Sequence, residues 1–126
     1  MKNEELYKIV GEKEYNDGDI IFQEDSSDQG FFLIISGSVE ISRNIQGRRY
    51  VIQTLNPGEI CGEMELFGGM ECALTARAIG KTTLGVIDCE PFESEYVRLS
   101  GQFRSILESI PIRLKKMLDR ASDLSE

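Results

Sequence analysis

Short stretches with strand character, separated by turn signals, fill most of the first 90 residues of this 126-residue chain. The stretches are rich in β-branched and aromatic residues, which favour strands. Turn signals stand at residues 16–18, 44–47 and 56–58, where Asn, Asp, Pro and Gly cluster. Roughly eight short strands with turns every 8 to 12 residues or so predict an antiparallel sandwich or barrel. The βαβ alternation of a parallel sheet is absent.

Two of the predicted strands differ in how they are buried. Residues 31–36 are nearly all apolar, which predicts burial on both faces. Residues 39–42 alternate apolar and polar side chains, as a half-buried strand does. A turn at residues 36–38 is expected to separate these two strands. A turn at residues 80–81 is expected to separate two further strands, at residues 74–79 and 82–88.

Helical signals lie at both ends of the chain. Residues 3–10 are expected to form a short helix, with Leu6, Ile9 and Val10 on one side and Gly11 as its end. After Pro91 the apolar period becomes helical, and a short helix is expected from Phe92 to Leu99.

The last segment has apolar residues at alternating steps of four and three, a heptad pattern. Pro111 interrupts this segment and predicts a kink near residues 107–111. The stripe predicts a surface for a homodimer or a partner protein. The alternative is that the helix docks on the chain's own sheet, because Ile106 and Leu118 widen the apolar stripe. Its members are Phe103, Leu107, Ile110, Leu114, Met117, Ala121 and Leu124.

Charge and composition exclude several classes of function. The net charge of −8, from 22 acidic and 14 basic residues, disfavours a nucleic-acid partner. The sequence lacks histidine, which argues against imidazole-based catalysis and histidine-bound metals, so neither an enzyme nor a metal site is expected. With no long apolar run and no signal peptide, we expect a cytoplasmic protein without a membrane span.

Cysteine spacing adds little chemistry. Cys61, Cys72 and Cys89 match no zinc pattern and no redox Cys-x-x-Cys pair. Thiols in a reducing compartment are expected.

Residues 57–78 concentrate the features that suggest a ligand site. Glycines occupy positions 58, 62, 68 and 69, and acidic residues occupy positions 59, 63 and 65. A glycine-rich segment can present successive backbone N–H groups to an anion. A carboxylate beside it is suited to a different group, such as a sugar hydroxyl.

The order of these elements resembles the cyclic-nucleotide-binding domain family, which includes the catabolite activator and kinase regulatory-subunit types. The resemblance covers about residues 8–124 and rests on motifs at residues 17–22, 30–39, 55–59, 62–64 and 75–78. It implies one domain over residues 1–126, mainly β. An eight-stranded antiparallel jelly-roll-like β-roll at about 12–89 would be joined by a short N-terminal helix and by two C-terminal helices at about 92–124. Residues 57–78 would be its phosphate-binding cassette.

The resemblance assigns roles within this cassette by position. Gly62 would let the backbone approach the ligand, and Glu63 matches the glutamate that accepts a hydrogen bond from the ribose 2′-hydroxyl. Met64 matches the apolar residue after it. Ala73 and Thr75 fit the small and hydroxyl positions that follow the phosphate-binding arginine.

Two positions depart from the family pattern. Cys72 stands where the phosphate-binding arginine is expected, and Glu65 stands where a small residue is usual. Losing a guanidinium–phosphate contact costs about 1.5–3 kcal/mol. A carboxylate near the phosphate adds repulsion, so a combined loss of roughly 3–5 kcal/mol would weaken binding by about two to four decades. Arg77 follows at a position that strand alternation places on the face opposite Cys72.

These observations favour a regulatory module that binds cyclic AMP or cyclic GMP weakly or not at all and relays a state through its C-terminal helices. Alternatives are a genuine sensor of a cyclic nucleotide or another small ligand, and a ligand-free dimerisation scaffold whose cassette, with Glu63 at a helix start, is structural. A transcription regulator would carry a DNA-binding domain after the long helix, whereas this sequence ends at Glu126. A cyclic nucleotide is therefore a possible cofactor and no other is expected.

Overall fold

The computed structural model describes residues 6–23, 30–62 and 74–124. Over these residues the chain forms a mainly antiparallel sheet followed by two helices, which confirms the predicted fold class. In chain order the elements are β1 (Ile9–Tyr15), β2 (Ile20–Phe22), β3 (Phe32–Ile45), β4 (Arg48–Leu55), β5 (Ile60–Cys61), β6 (Thr75–Ile87), α1 (Glu90–Arg98) and α2 (Gly101–Leu124).

Two long strands, β3 and β6, form the centre of the sheet. They pair antiparallel from Phe32 opposite Val86 to Ser42 opposite Thr75. β1 and β2 pair with β6 on one side, and β4 and β5 pair with β3 on the other. Every other strand described is therefore held by one of these two.

The prediction of reversing turns at residues 36–38 and 80–81 is wrong, because the chain bends there and continues as the same strand. Both glycines have positive φ, 81° at Gly37 and 70° at Gly80, and the β3–β6 register shifts around Ser36 and Ser38. A Cβ on Gly37 would lie 2.5 Å from the carbonyl oxygen of Lys81. The two strands thus bend together at one bulged corner, and the four strands predicted there are two long ones.

The predicted N-terminal helix at residues 3–10 does not extend to its expected end. Ile9 and Val10 belong to β1, and Gly11 lies inside that strand at a register shift. Pairing with the last part of β6 overrides the local helical pattern, since edge pairing satisfies the backbone of β1. Residues 3–5 lie outside the described part of the chain, and Leu6 is helical.

The turns predicted at residues 16–18, 44–47 and 56–58 are confirmed, whereas Ser42, expected on the exposed face of a half-buried strand, is only 1% exposed. Residues 16–18 and 56–58 form turns, with φ of 86° at Gly18 and 93° at Gly58. β3 and β4 join through Gln46 and Gly47, both with positive φ, as a two-residue type I′ hairpin requires. α2 is continuous through the buried Pro111, and a kink at that proline stays a prediction.

The start of β3 separates two apolar clusters. Phe32 and Ile34 point into the larger core cluster, with Leu55, Ala76 and Leu84. Phe31 and Leu33 point to the other side, where they pack with Ile87, Tyr7 and Phe92. Burial on both faces, predicted for residues 31–36, is therefore confirmed for residues 31–34 and wrong for Ile35 and Ser36, which are exposed. The second cluster lies beneath α1.

Candidate functional site

Gly62, the first residue of the predicted ligand set, packs directly against another backbone segment. Its φ is 88°, and a Cβ there would lie 1.7 Å from the carbonyl oxygen of Gly30 and 3.3 Å from the Cα of Phe31. Only glycine tolerates both the conformation and the contact. The entry to the cassette is therefore fixed against the start of the Phe31 segment.

Thr75 opens β6, opposite Ser42 of β3. Ala76 and Ala78 are buried towards the core, so Arg77 lies on the other face of the sheet, opposite Glu40. Arg77 thus does not point into the interior of the roll. The remaining predicted ligand residues, Glu63, Met64, Glu65, Cys72 and Ala73, lie outside the described residues, and their roles stay predictions.

An aromatic cluster joins the segment beneath Gly62 to helix α1. The rings of Phe31 and Phe92 meet edge to face with centroids 5.6 Å apart. Tyr7 packs on both, at 6.0 Å from Phe31 and 6.1 Å from Phe92. Such aromatic contacts stabilise beyond the area they bury, so α1 is attached to the sheet by packed apolar surface.

Helix α2 meets the sheet through an ion pair. Arg43 follows Ile41 by two residues on β3, which places it on the same, core-facing side of the strand. Its Nη2 donates a hydrogen bond to Oδ1 of Asp119 on α2. Nζ of Lys115, one turn earlier, lies 3.8 Å from the other carboxylate oxygen. The Arg43 guanidinium holds the pKa of Asp119 below its usual value.

A second polar contact joins the two helices to each other. The Tyr96 hydroxyl on α1 donates to Oε1 of Glu108 on α2 at 2.5 Å, and this bond raises the pKa of Tyr96. The Ser100 hydroxyl accepts a hydrogen bond from the Phe103 backbone N–H at 3.1 Å. Ser100 therefore caps the start of α2, and both contacts lie at the α1–α2 junction.

The predicted stripe on α2 is divided between two environments. Leu107 and Leu114 are half-buried beside the buried Pro111, so one side of the helix faces the protein. Phe103 and Met117 are 51% and 67% exposed, and Ile106 and Ile110 between them are also exposed. Ala121 is exposed as well, and it has a contact within the structure. One side of α2 thus packs on the domain and a neighbouring side exposes apolar side chains. A homodimer or partner surface on the exposed side stays a prediction.

Neither a metal-binding cluster nor a membrane-spanning helix is found in the part of the chain that the structure describes. In residues 6–23, 30–62 and 74–124, acidic and cysteine side chains form no group of three that could hold a metal ion. Among the helices described, none has the length and apolarity needed to cross a membrane.

The fold and the glycine-rich segment before its last strand find a clear match among known families. A family model described as "Cyclic nucleotide-binding domain" matches residues 12–98. The chain belongs to the cyclic nucleotide-binding domain family.

Two curated relatives illustrate how widely this domain is used. The HTH-type transcriptional regulator Cmr of Mycobacterium tuberculosis is 29% identical over 122 residues, covering 91% of this chain and 50% of the regulator. A cAMP-dependent protein kinase regulatory subunit of Mycosarcoma maydis is 30% identical over 99 residues, covering 76% of this chain and 18% of the subunit. The chain therefore spans half or less of these relatives.

A solved structure supports the fold. The EAL enzyme Bd1971, in a form bound to cAMP and cyclic-di-GMP, superposes with a TM-score of 0.80 at 20% sequence identity. The match covers 92% of this chain and 31% of that one. At this identity the likeness shows the β-roll with its C-terminal helices.

Sequence reasoning missed the residues that attach the two helices. The Arg43–Asp119 pair joins positions 76 residues apart, and no local pattern indicates such a partner. Counting two residues from Ile41 places Arg43 on the inner face, which was an available signal. The contact between Phe31 and Phe92 depends on how α1 folds back, which the apolar pattern does not specify.

Proposed function

We propose that this domain is a regulatory module that relays the state of its cassette to α1 and α2, and that it binds cyclic AMP and cyclic GMP poorly. The observation that supports the relay is the contact series from Gly62 through Gly30 and Phe31 to Phe92. It runs from the first cassette residue to the first C-terminal helix.

The physical basis of the relay is close packing. The backbone of Gly62 already touches that of Gly30, so a shift at residue 62 has no space to be absorbed there. Phe31 is only 5% exposed and lies edge to face against Phe92. Because packed interiors transmit displacement, a moved Phe31 displaces Phe92, and the Tyr96–Glu108 contact passes the change to α2.

Poor cyclic-nucleotide binding follows from the cassette sequence. Family membership makes a cyclic nucleotide the natural ligand class to test, but Cys72 and Glu65 replace the arginine and the small residue that the family pattern needs. A genuine sensor of a cyclic nucleotide or of another small ligand, and a ligand-free dimerisation scaffold, are the alternatives. The proposed role is regulatory and not catalytic, in keeping with the regulator and the regulatory subunit among its relatives.

Isothermal titration with cyclic AMP and cyclic GMP tests the ligand part of the proposal. The unaltered protein should bind in the millimolar range or not at all. Cys72→Arg should tighten binding by about one to two decades, since it restores a charge-assisted pair with phosphate. Cys72→Ser is the matched control, which changes the thiol without adding a cation and should leave binding unchanged. Micromolar binding by the unaltered protein contradicts the proposal.

The outward stripe on α2 is proposed as the surface for a second copy of the chain. Its exposed side chains follow one another at steps of three, four and seven residues, which places them on one side of the helix: Phe103, Ile106, Ile110 and Met117. Met117→Asp should lower the mass measured by light scattering from dimer to monomer. Ile112→Asp is the matched control, because Ile112 is 50% exposed on another side of the same helix. Equal masses for the two variants would argue against this surface.

A further inference from the structure

Arg43 is an inward-facing cation at the end of the apolar interior. Ile41, on the same side of β3, belongs to the core cluster, and Arg43 stands opposite Tyr50 of β4. Its side chain is only 16% exposed. A guanidinium removed this far from water needs partners for its donors.

The partners that the structure supplies are incomplete. Nη2 bonds Asp119, whereas Nη1 is buried and makes no hydrogen bond in the part of the chain described here. Two other buried polar atoms share this condition, on Glu40 and Arg77. Those two residues are cross-strand neighbours of opposite charge, and Glu40 also pairs with Arg49 at 3.3 Å. Arg43 is the one of the three that faces the interior.

The carboxylate now bound to Arg43 can be released at little cost. Asp119 is half-exposed, so water can solvate it once it leaves. Lys115 remains beside it on the same helix, 3.8 Å from its second oxygen. Asp119 therefore keeps a cationic neighbour when Arg43 takes another anion.

We propose that Arg43 is an anion-binding residue of the roll interior and that a phosphate-bearing ligand binds it by displacing Asp119. Phosphate is favoured over a carboxylate because it offers more charge and more acceptor oxygens than the aspartate it must displace. Its oxygens reach both guanidinium branches, including the unpartnered Nη1. Binding then separates the Arg43–Asp119 pair and loosens the attachment of α2 to the sheet. This inference rests on the relay proposed above and adds a step to it.

Pyrophosphate is a suitable probe, because it supplies the phosphate chemistry without a base or a sugar. Titration calorimetry should detect binding to the unaltered protein. Asp119→Asn should bind about three- to fivefold more tightly, since the competing charge is gone. Arg43→Gln should bind at least tenfold more weakly, and Arg43→Lys should be intermediate because it keeps the charge and loses the fork. Arg49→Gln, in the same hairpin, is the matched control and should bind like the unaltered protein.

Hydrogen–deuterium exchange measures the displacement itself. Pyrophosphate should speed exchange in peptides covering residues 112–121 of the unaltered protein and should change nothing in Asp119→Asn. Equal affinity in Arg43→Gln, or no binding by Asp119→Asn, would overturn the anion site. Binding without faster exchange in α2 would overturn the displacement. Neither result bears on the Cys72→Arg titration, so poor cyclic-nucleotide binding is tested separately.

Discussion

The two C-terminal helices differ in the contacts that join them to the sheet. α1 is held by the aromatic cluster of Tyr7, Phe31 and Phe92, whereas α2 is joined to β3 by the Arg43–Asp119 pair. Apolar packing is lost only when surface is exposed to water, but a half-exposed ion pair can exchange one partner for another. The difference suggests that α1 moves with the sheet and that the end of α2 around Asp119 can leave it.

The largest effect is expected at the aromatic cluster. Phe31→Ala should lower the free energy of unfolding by about 3–5 kcal/mol, because it removes a nearly fully buried ring. Denaturant titration measures the loss. Asp119→Asn is the comparison for α2 and should leave the unfolding midpoint nearly unchanged. If the two variants lost equal stability, the contrast between the helices would be wrong.

A smaller effect is expected where the cassette touches the aromatic segment. Gly62→Ala should destabilise the fold by about 2–4 kcal/mol, since the new methyl collides with the Gly30 carbonyl and φ stays positive. Gly101→Ala is the control, because a Cβ there meets open space. Thermal unfolding distinguishes them. A Gly62→Ala protein as stable as Gly101→Ala would contradict the close contact with residue 30.

The smallest effect is a pH dependence confined to α2. Arg43 lowers the pKa of Asp119 in the folded protein, so the pair stabilises at pH values above the usual aspartate pKa of 3.8. This stabilisation is lost as pH falls through the lowered value. Exchange protection of α2, corrected for intrinsic rates, should stay constant down to about pH 5 and fall only under strongly acidic conditions. Asp119→Asn should lack this step, and a step at neutral pH would contradict the assignment.

Sequence reasoning succeeded where local chemistry decides the structure. The hairpin loop at residues 44–47 was predicted from Asn44 and Gly47, which turns favour, and the double burial of Leu33 and Ile34 follows from an unbroken apolar run. The a/d spacing of Phe103 and Met117 likewise predicted an apolar side of α2, part of which is exposed.

It failed where a distant strand decides. Ser36-Gly37-Ser38 has the composition of a reversing turn, yet β6 bends beside it and keeps the strand paired. Ile9 and Val10 have a helical pattern, yet β6 pairs with their strand. The cassette residues Glu63 and Cys72 were placed by resemblance, and they lie outside the described residues.

The pairing of β3 with β6 also determines how the chain can reach this state. Residues as distant in sequence as Phe32 and Val86 must meet before the centre of the sheet forms. Closing this long loop costs chain entropy before the stabilising contacts are made. The β3–β4 hairpin is local and can form early. We therefore expect slow, millisecond-to-second folding, typical of sheets with non-local pairing. Until β6 arrives, the long edge of β3 is exposed to pairing with other chains, which makes aggregation during refolding a concentration-dependent hazard.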